Sequence, residues 1–155
     1  MPTVPWRGKA AVDPDADYLL LATRLPLRSF TTMPRFLGLT ASVVRQLERT
    51  PGLVGYSLRA HPFARTFWTL SAWIDARALA AFVREAPHHG VMAQLRPHMG
   101  LTRFATWTAP GSALPMPWDV AIERLGHSPP DDRARPFHPH ATERDTALPD
   151  KEQPS

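Results

Sequence analysis

The sequence of 155 residues contains no cysteine. This absence excludes disulfide bonds, thiolate nucleophiles and cysteine-ligated metals, and it suits a reducing cytoplasm. Long apolar runs are also missing, since the longest aliphatic stretch, YLLLA, is far shorter than the roughly 20 residues that span a bilayer. The N-terminal stretch MPTVPWRGKAAVDPDAD has no apolar segment of the kind that a secretory signal needs. We therefore predict a cytoplasmic protein with no membrane partner.

Several motifs that carry chemistry are absent as well. The sequence has no Gly-rich phosphate loop, no G-x-S-x-G, no H-E-x-x-H and no paired zinc-ligand spacing, which argues against nucleotide-dependent enzymes and zinc hydrolases. The signature of RNA-binding sheets is missing too, so no nucleic-acid partner is expected. What the chain does have is an excess of arginine, with 12 Arg against 6 acidic residues between positions 17 and 126. That balance favours anionic partners, small or polymeric.

The chain divides into three parts by composition. Residues 1–16 contain prolines and aspartates without periodicity, and we predict a flexible arm. Residues 127–155 are rich in proline and have few large apolar side chains, which predicts a disordered tail. Residues 17–126 are the predicted folded domain.

The hydrophobic period of this domain switches between strand and helix in a recognisable order. Four strands are predicted at residues 18–27, 53–60, 67–74 and 101–108. One helix follows Thr31, a second follows Asp75, and a short amphipathic helix, PWDVAIERL, comes after the last strand. The order β-α-β-β-α-β predicts an α+β, ferredoxin-like domain with a four-stranded antiparallel sheet.

Both faces of this predicted sheet are apolar. In the third strand Phe67 and Trp73 point to one side, whereas Trp68 and Leu70 point to the other. Two helices would cover one face and leave the other exposed. A large exposed apolar face usually marks an interaction site. We therefore expect a homodimer in which two sheets pack face to face.

Three stretches, TPGLVGYSL, FWTLSAWIDARALAAFV and APHHGVMAQL, resemble the dimeric α+β barrel proteins of the antibiotic biosynthesis monooxygenase-like superfamily. The resemblance covers about residues 17–108. It implies the dimeric barrel fold and a mixed set of functions. Some members are cofactor-independent monooxygenases that act on electron-rich aromatic polyketides, others bind haem between helices and sheet, and many have no known activity.

His88 is the leading candidate for chemistry. Pro87 should interrupt the second helix, and a helix resuming after it would place His88 on one face with Val91, Met92 and Leu95. An inward imidazole there could act as an acid/base group, and the resemblance also implies a haem axial ligand in this region. Alternatively, His88 only bonds carbonyl groups exposed at the helix break. The adjacent His89 should turn toward the flank.

The remaining candidates would bind a ligand. Trp68 and Trp73 stand on opposite faces of one strand, so at least one of them should line a cavity with Phe82 and Met92, although core packing is the commoner use of such side chains. Three arginines at alternating strand positions could converge on an anionic group, or simply reach solvent. They are Arg24, Arg59 and Arg103.

These residues support three hypotheses. The first is a monooxygenase-like enzyme that needs no cofactor and oxidises a small electron-rich organic substrate with the help of His88. The second is a haem-binding barrel in which His88 is the metal ligand. The third is a non-catalytic dimer that binds a small apolar or anionic organic ligand.

Overall fold

A computed structural model of the chain describes residues 3–85 and 88–127. It is an α+β fold with a five-stranded antiparallel sheet, four α-helices and short 3₁₀ turns. The strands and helices are β1 (Thr3–Gly8), β2 (Asp17–Pro26), α1 (Met33–Leu47), β3 (Leu53–His61), β4 (Thr66–Trp73), α2 (Ala76–Arg84), α3 (His88–Leu95), β5 (Arg103–Pro110) and α4 (Trp118–Gly126). The predicted β-α-β-β-α-β order is confirmed from β2 to β5, and the tail expected to be disordered lies almost wholly outside the described residues.

The sheet has the strand order β1-β3-β4-β2-β5, and its first strand corrects the expectation of four strands. β1 comes from the arm that was expected to be flexible, and it pairs with β3 from Thr3 to Gly8. The arm has Pro5 within this stretch, a residue tolerated on edge strands because one side of the strand forms no ladder. The indole of Trp6 packs directly against Gly55 of β3, where a Cβ would lie 2.5 Å from the ring. This long-range contact has no local signal in the sequence.

Each face of the sheet is covered by helices. One face, here called the cavity face, packs against α1, α2 and α3 and includes Phe67 and Trp73. The opposite face, here called the α4 face, includes Trp68 and Leu70 and packs against α4. Both faces are apolar, as predicted. However, α4 of the same chain covers much of the face that we had assigned to a second subunit, so that face gives no independent ground for the homodimer.

The break after α2 lies where the sequence predicts it. Asp75 caps α2, because its Oδ1 accepts a hydrogen bond from the Ala78 N–H at 2.8 Å. The helix ends at Arg84, Glu85 is extended, and a new helix begins at His88. The chain therefore presents two short helices to the sheet instead of one long helix. None of the helices in the described part of the chain is long and apolar enough to cross a membrane.

Candidate active site

A cavity of about 1000 Å³ separates the cavity face of the sheet from α1, α2 and α3. Its walls are mainly apolar. Four of the predicted site residues contribute to the helix side and the floor, and two threonines add a small polar spot to the floor. The predicted residues are Trp73, Phe82, His88 and Met92. The threonine hydroxyls of Thr23 and Thr69 lie 2.5 Å apart and bond to each other. This size and character suit a flat organic molecule.

His88 lies half-buried at the start of α3 and contributes to the cavity wall. Its Nδ1 lies 3.2 Å from the carbonyl oxygen of Val83, in the last turn of α2. Because a carbonyl oxygen only accepts, Nδ1 must carry the proton in this bond, and the lone pair is left on Nε2. Both readings of His88 from the sequence are therefore compatible with its position: it bonds a carbonyl at the helix break, and it still keeps a basic nitrogen.

Burial lowers the pKa of His88 below its ordinary value, and the neighbouring His89 lowers it slightly further. The bond to the Val83 carbonyl acts in the opposite direction, since it favours the protonated ring. The net effect is a neutral imidazole at pH 7. His89 itself is exposed at the edge of the cavity, as expected for the flank position.

An aromatic row extends from His88 to the floor of the cavity. The Phe82 ring centroid lies 4.8 Å from the His88 ring and 5.3 Å from the Trp73 ring. The indole of Trp73 is held in place because its Nε1 donates to the Ser71 hydroxyl at 2.9 Å. Trp73 is thus the tryptophan of β4 that packs on the cavity face, whereas the side chain of Trp68 packs on the α4 face.

Gln46 of α1 is a site residue that the sequence did not reveal. Its Oε1 accepts the His88 N–H at 3.0 Å, and its Nε2 donates to the Phe82 carbonyl at 3.2 Å. One side-chain amide therefore connects the end of α2 to the start of α3. The only available signal was a polar residue beside the apolar positions Val43 and Leu47, and nothing local indicated its partners.

Tyr56 lines another part of the cavity and is tied to α1 by Glu48. Glu48 accepts a hydrogen bond from the Tyr56 hydroxyl and forms an ion pair with Lys9. Burial and then the bond to Glu48 raise the pKa of Tyr56 to about 12. The phenol is therefore a hydrogen-bond donor at neutral pH and not a base.

The three predicted arginines are grouped together, but not with His88. The strand register places Arg59, Trp68, Arg24 and Arg103 side by side in one row. Arg59 and Trp68 also border the cavity, but the row as a whole lies on the α4 face. The three arginines therefore lie side by side on the face opposite His88, and their binding of an anionic group stays a prediction.

Acidic and histidine side chains do not cluster in this part of the protein. Among residues 3–85 and 88–127, no group of three His, Asp or Glu side chains could hold a metal ion. The chemistry available at the cavity therefore centres on the imidazole of His88, the aromatic row and the polar spot on the floor.

Solved structures with the same architecture are found by comparison of the folds. SnoaB, a cofactor-independent oxygenase from Streptomyces nogalater, is 20% identical over 64% of this chain and 99% of its own, with a TM-score of 0.53. An antibiotic biosynthesis monooxygenase is 15% identical over 59% of this chain and 97% of its own, with a TM-score of 0.54. A conserved protein from Methanosarcina mazei Go1 is 13% identical over 58% of this chain and 90% of its own, with a TM-score of 0.53.

No protein-family model matches the sequence, and no curated protein matches it significantly. At these identities the likeness to solved structures is a likeness of fold. The chain has the α+β fold of the antibiotic biosynthesis monooxygenase-like proteins, as its sequence predicted.

Proposed function

We propose that the protein is a cofactor-independent oxygenase that oxidises a flat, electron-rich organic substrate in the cavity beside His88. The observation that carries this proposal is the state of His88: a neutral ring that keeps its Nε2 lone pair and contributes to the wall of an apolar cavity of about 1000 Å³. The cofactor-independent oxygenase among the structures with this fold is consistent with it.

In this mechanism His88 acts as the general base. Nε2 takes a proton from an acidic C–H of the substrate, and the resulting carbanion reduces and binds dioxygen as a peroxide. Loss of the second proton with cleavage of the O–O bond converts the CH₂ group and O₂ into C=O and H₂O. The Val83 carbonyl strengthens its bond to Nδ1 as the ring becomes charged, which orients the base during proton transfer.

The aromatic row would support the substrate-binding wall. Phe82 and Trp73 are buried beside His88, at 6% and 1% exposure, so they would fix the shape of the wall next to the base and would not stack on the substrate over their full faces. The apolar walls exclude water from the carbanion, which would otherwise be protonated again.

Oxygen consumption tests the proposal. A panel of anthrones, which carry an acidic CH₂ group, is added to purified protein treated with a chelator, and dioxygen uptake is followed with an electrode. We expect turnover that falls at least about a hundredfold in His88→Ala, a typical contribution of a general base. His89→Ala is the matched control, because His89 is the exposed neighbour, and it should retain activity. Equal turnover in His88→Ala and the native protein would refute the role of His88.

The haem hypothesis uses the same nitrogen. A neutral imidazole whose Nδ1–H bonds a main-chain carbonyl could hold a haem iron through its Nε2, and the haem would supply redox chemistry when bound. Hemin titration separates the two functions. A sharp Soret band that disappears in His88→Ala would replace the oxygenase proposal with a haem protein. Specific binding of aromatic compounds without turnover or a Soret band would instead indicate the non-catalytic ligand-binding protein.

Homodimerisation and a cytoplasmic location remain predictions from the sequence. Sedimentation velocity at micromolar concentration tests the first: a single species of the monomer mass of 17.3 kDa would contradict it.

A further inference from the structure

A row of positive charge crosses the α4 face of the sheet. In the register Arg59 lies opposite Trp68, Trp68 opposite Arg24, and Arg24 opposite Arg103. Neighbouring strands are about 4.8 Å apart, so Arg24 and Arg103 are immediate neighbours and Arg59 is two strands from Arg24. We call these three side chains the arginine row. All three are half-buried.

Like charges placed directly opposite each other destabilise an antiparallel pair unless something compensates. Within residues 3–85 and 88–127, neither Arg24 nor Arg59 forms an ion pair; the pairs seen there join Glu48 to Arg7 and Lys9. Arg103 approaches the end of α4, where its Nη1 lies 3.5 Å from the Leu125 carbonyl oxygen. The positive charge of Arg24 and Arg59 is therefore not matched by any described carboxylate.

Arg59 provides an independent observation. Its guanidinium group lies 5.1 Å above the ring of Trp118, and that indole is fixed because its Nε1 donates to the Ser57 hydroxyl at 3.0 Å. Yet Arg59 Nε is buried and finds no acceptor among the described residues. A buried donor without an acceptor is costly and rare in folded proteins. The Arg59 guanidinium group is therefore fixed over Trp118 with one donor left for an additional acceptor.

We propose that the arginine row is an anion-binding site for a carboxylate or phosphate group. Guanidinium groups donate two parallel hydrogen bonds to such oxyanions, and neighbouring arginines would share one charge between them. The row lies on the opposite face of the sheet from His88, although Arg59 also borders the cavity, and the inference does not depend on the proposed reaction.

Titration with inorganic phosphate tests the site in the full-length protein. Ionic strength is held constant with sodium chloride, and binding is followed by calorimetry and by the fluorescence of the tryptophans. We expect saturable binding to the native protein and a dissociation constant at least about tenfold higher in Arg24→Gln and in Arg59→Gln, the loss of one charge-assisted contact. Arg77→Gln is the matched control, since Arg77 is exposed on α2 and forms no part of the row, and it should bind like the native protein.

Two further variants guard against a folding defect. Arg24→Lys and Arg59→Lys keep the positive charge but lose the forked geometry, and they should weaken phosphate binding while circular dichroism remains native. Absence of saturable binding beyond that of chloride, or native affinity in both Gln variants, would overturn the proposal.

Discussion

The amide of Gln46 holds the break between α2 and α3 together, and Gln46→Ala should show how strongly. The substitution removes two hydrogen bonds, at 3.0 and 3.2 Å. The His88 N–H loses its partner, whereas the Phe82 carbonyl still accepts the Glu85 N–H at 3.3 Å. An unsatisfied buried backbone group costs about 1–3 kcal/mol, and we expect the free energy of unfolding to fall by about that amount.

Urea unfolding followed by circular dichroism measures this change. Arg45→Ala on the exposed side of α1 is the control and should stay within about 0.5 kcal/mol of the native protein. Gln46→Glu separates the two bonds, since it keeps an acceptor for the His88 N–H but loses the donor to Phe82. Its carboxylate should also raise the pKa of His88, which NMR titration reports. If Gln46→Ala is as stable as Arg45→Ala, the amide does not support the site.

Two further predictions follow from particular contacts. The pKa of His88 is lowered in the folded state, so the unfolded chain binds more protons on acidification. The contribution of His88 to the free energy of unfolding should be constant well above pH 6.5 and fall below it, by at most about 1.4 kcal/mol per pH unit. This part of the fall should be missing in His88→Asn. Urea unfolding at several pH values would contradict this if both proteins showed the same profile. In Gly55→Ala the new methyl group would lie 2.5 Å from Trp6, and we expect a loss of about 1–3 kcal/mol with a shifted tryptophan emission. Gly38→Ala, where no atom lies within 4 Å of the new group, should instead stabilise α1 by about 0.5–1 kcal/mol; a Gly55→Ala protein as stable as the native one would show that Trp6 yields without cost.

The features of the fold that depend on short-range sequence patterns could be predicted from the sequence. The apolar period of β2 to β5, the cap at Asp75 and the interruption before His88 all depend on neighbours within a few positions. The inward position of His88 followed from the same helical period. By contrast, Gln46 and His88 are 42 residues apart, and no periodicity relates a glutamine on one helix to a main-chain amide on another.

The sequence by itself determined the order of strands and helices, the apolar character of both sheet faces and the helix break at His88, because these features follow from side-chain period and backbone restriction. Only the tertiary structure decided that α4 covers the second face, that β1 joins the sheet through Trp6 and Gly55, and that the three arginines lie across the sheet from His88. The physical reason is that strand register and helix docking depend on contacts between distant segments, and these have no signature in any local stretch of the chain.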